Sequence, residues 1–71
     1  MNTYKKFLYS KRCIINLKTD KAFRGYLLNE NKTIVLLKNA ELIEPGLEPV
    51  YISGEIVIEK NNIDFIQIIG E

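Results

Sequence analysis

Three strand-like segments joined by two polar turns lie between residues 13 and 40, and they constrain the fold more than any other part of the sequence. Residues 13–18 place Cys13, Ile15 and Leu17 on one face, because side chains alternate along a strand. Residues 22–28 repeat this alternation, and the third segment, from Thr33, is apolar on both faces. Residues 19–21 and 29–32 supply turn-forming side chains. This order predicts an antiparallel sheet.

Gly25 lies in the middle of the second segment, where glycine normally weakens a strand. Its predicted use is to let the strand bend sharply without a side chain in the way. A long bent strand is how a small sheet closes into a barrel.

The remaining elements are one short helix and two further strands. Tyr4, Phe7 and Leu8 have helical spacing, which predicts a helix over residues 3–10 that is too short to be stable without packing on the sheet. After the third segment, the sequence predicts a loop at 44–49 and extended structure at 50–52, followed by a bulge or bend at 53–54. Strand four is predicted at 55–58, a tight turn at 60–62 and strand five at 63–69. The predicted fold class is mostly β, with a short N-terminal helix followed by a strongly bent five-stranded antiparallel barrel in a single domain, 1–71.

The small size of the chain favours assembly. A domain of 71 residues buries only about 60% of its unfolded surface. One cysteine and no histidine provide neither an intrachain disulfide nor a Cys/His metal cluster, so we expect no metal and no cofactor. Oligomerisation is the remaining way for such a small domain to gain stability. Strand five is apolar on both faces, which favours pairing with another chain. The hypothesised contact residues are Ile56, Ile58, Ile66 and Ile68.

Composition also narrows the function. No apolar run has the length of a membrane span, and the N-terminus lacks the features of a signal peptide, so we expect a cytoplasmic protein without a membrane partner. No nucleophile has a base beside it, which predicts that the protein is not an enzyme. Cys13 alternates into the core, as a buried, inert thiol does.

The charges are divided unevenly along the chain. Residues 1–25 carry seven cations and one acid, whereas residues 26–71 carry three cations and eight acids. Such a division places a basic face opposite an acidic one, or else the charges intermix on a solvated surface after folding. The candidate basic face comprises Lys5, Lys6, Lys11 and Arg12.

Two stretches match the paired motifs of a known family. The first motif is matched by Ile15-x-Leu17-Lys18, Phe23-x-Gly25-x-Leu27 and Val35-x-Leu37-x-Asn39-Ala40, and the second by Ile58-Glu59-Lys60-Asn61-Asn62-Ile63 followed by Phe65-Ile66. Over nearly its whole length the chain therefore resembles the Sm/Sm-like family. The resemblance implies an N-terminal helix on a bent five-stranded barrel of the SH3 type. It also implies a homo-oligomeric ring, a hexamer or heptamer in which strand four pairs with strand five of the next subunit, and binding of single-stranded RNA rich in uridine or adenine.

The sequence departs from the family motifs at the nucleotide pocket. Glu59-Lys60 stands where the family has Arg-Gly, and the segment between Gly25 and Ala40 is one residue shorter than usual. The bacterial Hfq branch carries a Lys-His signature, which this chain lacks. By family position, the RNA-binding residues implied are Asn29, Asn31, Lys32, Thr33, Lys60, Asn61 and Asn62. The asparagines also suit plain turns, for backbone reasons alone.

Three functions remain open at this point. The first is a ring-forming RNA-binding protein. The second is a homo-oligomeric structural or protein-interaction ring that binds no nucleic acid, as the altered second motif and the net charge of +1 allow. The third is a different small barrel that binds peptides, which would need an aromatic groove with tryptophan, and the chain has no tryptophan.

Overall fold

The described part of the chain, residues 12–69 of the computed structural model, forms one antiparallel sheet of five strands. The strands are β1 Arg12–Leu17, β2 Ala22–Glu30, β3 Ile34–Ile43, β4 Val50–Glu59 and β5 Ile63–Ile68. A 3-10 turn, Lys60–Asn62, joins β4 to β5. The prediction of five antiparallel strands is confirmed, whereas the predicted helix at residues 3–10 lies outside the described residues.

The turn between β2 and β3 is shorter than expected, because both strands extend toward it. Asn29 and Glu30 belong to β2, and β3 begins at Ile34. Asn31 closes the turn: its Oδ1 accepts hydrogen bonds from the backbone N–H of Thr33 at 2.8 Å and of Ile34 at 2.9 Å. An asparagine side chain can in this way replace a backbone acceptor and reverse the chain in three residues.

The core occupies one side of the bent sheet and draws on the first four strands. Its buried side chains are Cys13, Ile15, Leu27, Val35, Leu37, Ala40 and Ile58. On β1, Cys13 and Ile15 alternate into it as the sequence predicts. Desolvation by burial raises the pKa of the Cys13 thiol, so this buried thiol stays protonated and unreactive.

β3 approaches β2 closely at Gly25, so that a side chain there would have to push the neighbouring backbone away by a few tenths of an ångström. A Cβ atom at this position would lie 3.0 Å from the carbonyl oxygen of Lys38 and 3.1 Å from the Cα of Ala40. The β2–β3 register shifts beside it, and Asn39 opposite has a left-handed backbone with φ of 52°. A bulge of this kind bends the strands, as expected from the mid-strand glycine.

The predicted closure into a barrel is wrong for the single chain, because the sheet is open. Its strand order is β4-β3-β2-β1-β5, so β4 and β5 are edge strands that do not pair with each other. The reason lies in the 3-10 turn, which is not a hairpin. Lys60 N–H donates to Thr33 O at 2.7 Å, and Lys18 N–H donates to Asn62 O at 2.8 Å. These bonds carry the chain across the end of the sheet, from β3 and β4 to β1.

Candidate nucleic-acid interface

The two turns singled out in the sequence, residues 29–33 and 60–62, are in contact at one end of the sheet. The backbone hydrogen bond from Lys60 to Thr33 joins them directly. The Lys60 ammonium group also forms an ion pair with the carboxylate of Glu30, whose side chain is only 6% exposed. The Glu30–Lys60 pair therefore fixes the relative position of the turns, and they form one continuous surface, which we call the turn surface.

The three residues of the β2–β3 turn, 31–33, are all polar and exposed to solvent. Asn31 uses its Oδ1 to shape the turn, since it also accepts a hydrogen bond from the Thr33 hydroxyl at 3.3 Å. Within residues 12–69, no group accepts a hydrogen bond from its Nδ2, which remains a donor for a ligand. Lys32 is exposed at the tip of the turn. Asn29, at the end of β2, accepts the backbone N–H of Glu30 at 2.8 Å.

The predicted tight turn at residues 60–62 is a single 3-10 turn. Asn61 and Asn62 are exposed in this turn, which is closed by a hydrogen bond from Ile63 N–H to Lys60 O. Of the described residues other than glycine, only Asn39 has positive φ, so neither asparagine of this turn has a left-handed backbone. The 3-10 hydrogen bonding supplies the turn instead and leaves both side-chain amides at the surface.

The four isoleucines proposed for contacts between subunits lie on the edge strands, but they face inward. Ile58 is 5% exposed and belongs to the core, and Ile56, Ile66 and Ile68 are half-buried against it. Their role in assembly stays a prediction. Val57 is 59% exposed on β4 and Phe65 53% exposed on β5, and sequence reasoning did not single out either of them as exposed apolar side chains of the edges. The alternation of β4 and β5 could have identified them, since each lies on the opposite face from its isoleucine neighbours.

The predicted basic face falls mostly outside the described residues, because Lys5, Lys6 and Lys11 precede them. Arg12 begins β1 and is half-buried at the end of that strand far from the turn surface. Within residues 12–69, cations from the basic part of the sequence pair with acids from the acidic part. Lys21 lies 3.5 Å from Glu44, and Arg24 donates from Nε to Glu41 at 2.9 Å.

Two further findings limit the chemistry of residues 12–69. No three His, Cys, Asp or Glu side chains among them are grouped to hold a metal ion. This part of the chain has no helix long and apolar enough to cross a membrane.

Solved structures of known proteins share this fold and part of the sequence. An Sm protein of Pyrococcus abyssii, solved in complex with a uridine heptamer, is 31% identical, with a TM-score of 0.81 over 93% of this chain and 93% of that chain. This chain belongs to the Sm-like family. A heptameric archaeal Sm protein, 23% identical, has the same fold, with a TM-score of 0.82 over 96% of this chain and 98% of that chain. No protein-family model and no curated protein matches the sequence.

In this Sm-like protein, the altered second motif has a visible structural consequence. Lys60 faces the acid of the neighbouring turn rather than open solvent, and Glu59 beside it is exposed. The charge of Lys60 is therefore offset within the turn surface. This surface offers a ligand amide donors and acceptors from four asparagines, together with the ammonium group of Lys32. Such groups form hydrogen bonds with the edges of unpaired bases.

Proposed function

We propose that this Sm-like protein assembles into a homo-oligomeric ring in the cytoplasm and binds single-stranded RNA through the turn surface. The ring contains six or seven identical subunits. It acts by binding and not by catalysis. The observation that carries the proposal is the contact between the two turns through Lys60, which gathers the polar groups of both motifs on one end of the sheet.

Assembly is supported by the two open edges of the sheet. The outer backbone groups of β4 and β5 have no strand partner among residues 12–69, and unpaired edges that also carry apolar side chains pair with other chains. Val57 and Phe65 supply such side chains. If β4 of one subunit pairs with β5 of the next, each subunit uses both of its edges, and the repeat closes into a ring. A heptamer is known for a protein of the same fold.

RNA binding is supported by the solved complex of the 31% identical Sm protein with a uridine heptamer, together with the chemistry of the turn surface. In the proposed ring the turn surfaces of all subunits point toward one pore. Asn31 and the amides of the 3-10 turn contact base edges, and Lys32 lies near phosphate. A titration of fluorescein-labelled uridine and adenine heptamers, followed by anisotropy at low salt, tests this directly. Absence of binding to both would contradict the proposal.

Salt and two variants locate the surface that binds. Each phosphate neutralised on a single strand contributes a slope of about −0.7 to log K against log salt. Lys32→Ala should reduce the slope without dissociating the ring, because Lys32 is exposed whereas Lys60 is paired with Glu30. The double variant Lys5→Ala/Lys6→Ala tests whether the basic segment is the binding surface instead. If only the double variant changes the slope, the RNA binds the basic segment and not the turn surface.

A structural ring without nucleic acid is the second candidate. It is favoured by the acids at the turn surface, since Glu30 pairs with Lys60 and exposed Glu59 repels phosphate. This alternative predicts the same mass in solution but no oligonucleotide binding at any salt concentration.

A further inference from the structure

A second concave site lies on the outer face of the bent sheet, away from the turn surface. It is a cavity of about 240 Å³ that crosses from β1 to β4, and we call it the notch. The side chains that define it are Arg12, Arg24, Tyr26, Glu41 and Tyr51. Its floor includes Gly25 and Asn39, so the bulge that bends the sheet also opens this space.

The notch is built by pairing between neighbouring strands. Arg12 on β1 is the register partner of Tyr26 on β2, and Glu41 on β3 is the partner of Tyr51 on β4. Both tyrosines keep open faces, with Tyr26 37% and Tyr51 62% exposed. Tyrosines in a globular domain are usually intermediate in burial, so two exposed rings at one cavity call for an explanation.

The charges of the notch leave one cation available. Arg24 forms hydrogen bonds with Glu41 through Nε and Nη2, which neutralises that carboxylate. Arg12 has no ion pair or side-chain hydrogen bond with any of residues 12–69. The three charged side chains sum to +1, and the Arg12 guanidinium lies beside Tyr26 without an ion-pair partner among residues 12–69.

Aromatic faces next to an unpaired guanidinium match the chemistry of a nucleotide. Bases stack on tyrosine rings regardless of sequence, and a guanidinium binds phosphate through two parallel hydrogen bonds. An acidic peptide would use Arg12 but would leave both tyrosine rings without a role. We propose that the notch binds one nucleotide of single-stranded RNA, with its base on Tyr26 or Tyr51 and its phosphate on Arg12. This inference rests on the proposed RNA-binding function and adds a second contact to it.

The position of the notch gives the proposal a measurable consequence. Arg12 is at one end of β1, whereas Lys18, just after the other end, contacts Asn62 of the turn surface. A short oligonucleotide that fills the turn surface does not reach the notch, but a longer strand contacts both. Losing the notch should therefore weaken binding of a long strand and spare that of a short one.

The test compares matched variants with a uridine heptamer and a uridine 20-mer. Tyr51→Leu removes the ring and Tyr51→Phe keeps it, while Tyr26→Leu and Tyr26→Phe repeat the comparison on an inner strand. We expect at least one of the two leucine variants to bind the 20-mer at least about fivefold more weakly than its phenylalanine partner, because one stacked base contributes at least this much. Arg12→Gln should lower the salt slope for the 20-mer, and Arg12→Lys should restore it. Light scattering of every variant checks that assembly is unchanged.

Crosslinking with a 4-thiouridine 20-mer, followed by peptide mapping, separates the outcomes. Crosslinks to Tyr26 or Tyr51 that disappear in the leucine variants support the notch. If the 20-mer binds and crosslinks only at the turn surface, and all variants bind as the wild type does, the notch proposal is overturned and the proposed function stands. If neither oligonucleotide binds, the proposed function fails and the notch fails with it. Binding of a labelled oligoglutamate peptide that depends on Arg12, without RNA binding, would identify an acidic protein partner instead.

Discussion

The middle of the sheet and its two edges use apolar side chains in opposite ways. Around Gly25, strands β2 and β3 approach so closely that a Cβ atom would be in tight contact with backbone, and Leu37 and Ala40 beside it are fully buried. On the edges, Val57 and Phe65 are more than half exposed, and the outer backbone has no strand partner within residues 12–69. The middle is therefore packed within one chain, whereas in the proposed ring a second copy completes each edge. The comparison separates substitutions that unfold the subunit from those that only separate subunits.

The largest expected effect is at the middle. Gly25→Val places its Cβ against backbone atoms of Lys38 and Ala40, which cannot rotate away, so we expect a loss of at least about 2 kcal/mol in the free energy of unfolding. Urea denaturation at a fixed protein concentration measures it. Gly54→Asn is the control: Gly54 has φ of 87° and open space around it, so asparagine, which adopts positive φ more readily than most residues, meets no neighbouring atom and should cost less than Gly25→Val. An unchanged midpoint for Gly25→Val would show that the bend does not depend on this close approach.

The second largest effect is expected at the edges, where a substitution should prevent assembly and leave the subunit folded. Val57→Lys introduces a charge on the outer face of an edge strand, the device by which natural edges avoid pairing. We expect a monomer with the circular dichroism spectrum of the wild type. Leu47→Lys makes the same change at a residue that is 64% exposed in the loop between β3 and β4, and it should leave the mass of the assembly unchanged. A Val57→Lys ring of wild-type mass would place the subunit contact elsewhere.

A smaller effect is expected at the turn surface, where the two regions meet. Lys32 is exposed, whereas Lys60 is paired with Glu30, so Lys32 should contribute more to the salt dependence of RNA binding. Lys32→Gln should bring the slope toward zero by about 0.7 for each phosphate that it no longer neutralises. Lys38→Gln, in the middle of β3, serves as the charge-matched control. If both variants lower the slope equally, long-range charge accounts for the effect and phosphate contact does not.

The smallest effect is a pH dependence of the core. Burial raises the pKa of the Cys13 thiol, so the folded state favours the protonated form. The stability contributed by this group is present below the pKa of the unfolded thiol and is lost as the pH rises above about 8.5. Urea denaturation between pH 7 and pH 10 should show the wild type losing stability relative to Cys13→Ala over this range. If the difference in the free energy of unfolding between the two proteins stays constant over this pH range, the prediction is contradicted.

The sequence predicted the middle of the sheet better than its ends, for physical reasons. Alternation along β1 fixes that Cys13 and Ile15 share a face, and a glycine in mid-strand signals close packing, since both are properties of neighbouring residues. Closure of the barrel depends instead on where β5 goes after Lys60–Asn62. Hydrogen bonds to Thr33 and Lys18, which are far away in sequence, determine this path. No local pattern contains that information.

The candidate site was predictable to a similar degree. Family position brought the two turns into consideration together, and their contact is found in the structure. The pairing of Lys60 with Glu30 was not predicted, because the two residues are 30 positions apart and the usual motif has an arginine beside that place. The notch is harder to predict from the sequence than the turn surface. It combines side chains from four strands around a bulge whose key residue, Asn39, has an unusual backbone.

The mass of the native assembly that the full chain forms in solution tests the central claim, that copies of the same protein complete the edges of the sheet. Light scattering on a sizing column at micromolar concentration gives this mass, and absorbance at 260 and 280 nm across the same peak reports any bound nucleic acid. The account predicts one sharp species of six or seven times the 8.2 kDa of a single chain. A sharply defined monomer of 8.2 kDa would contradict it.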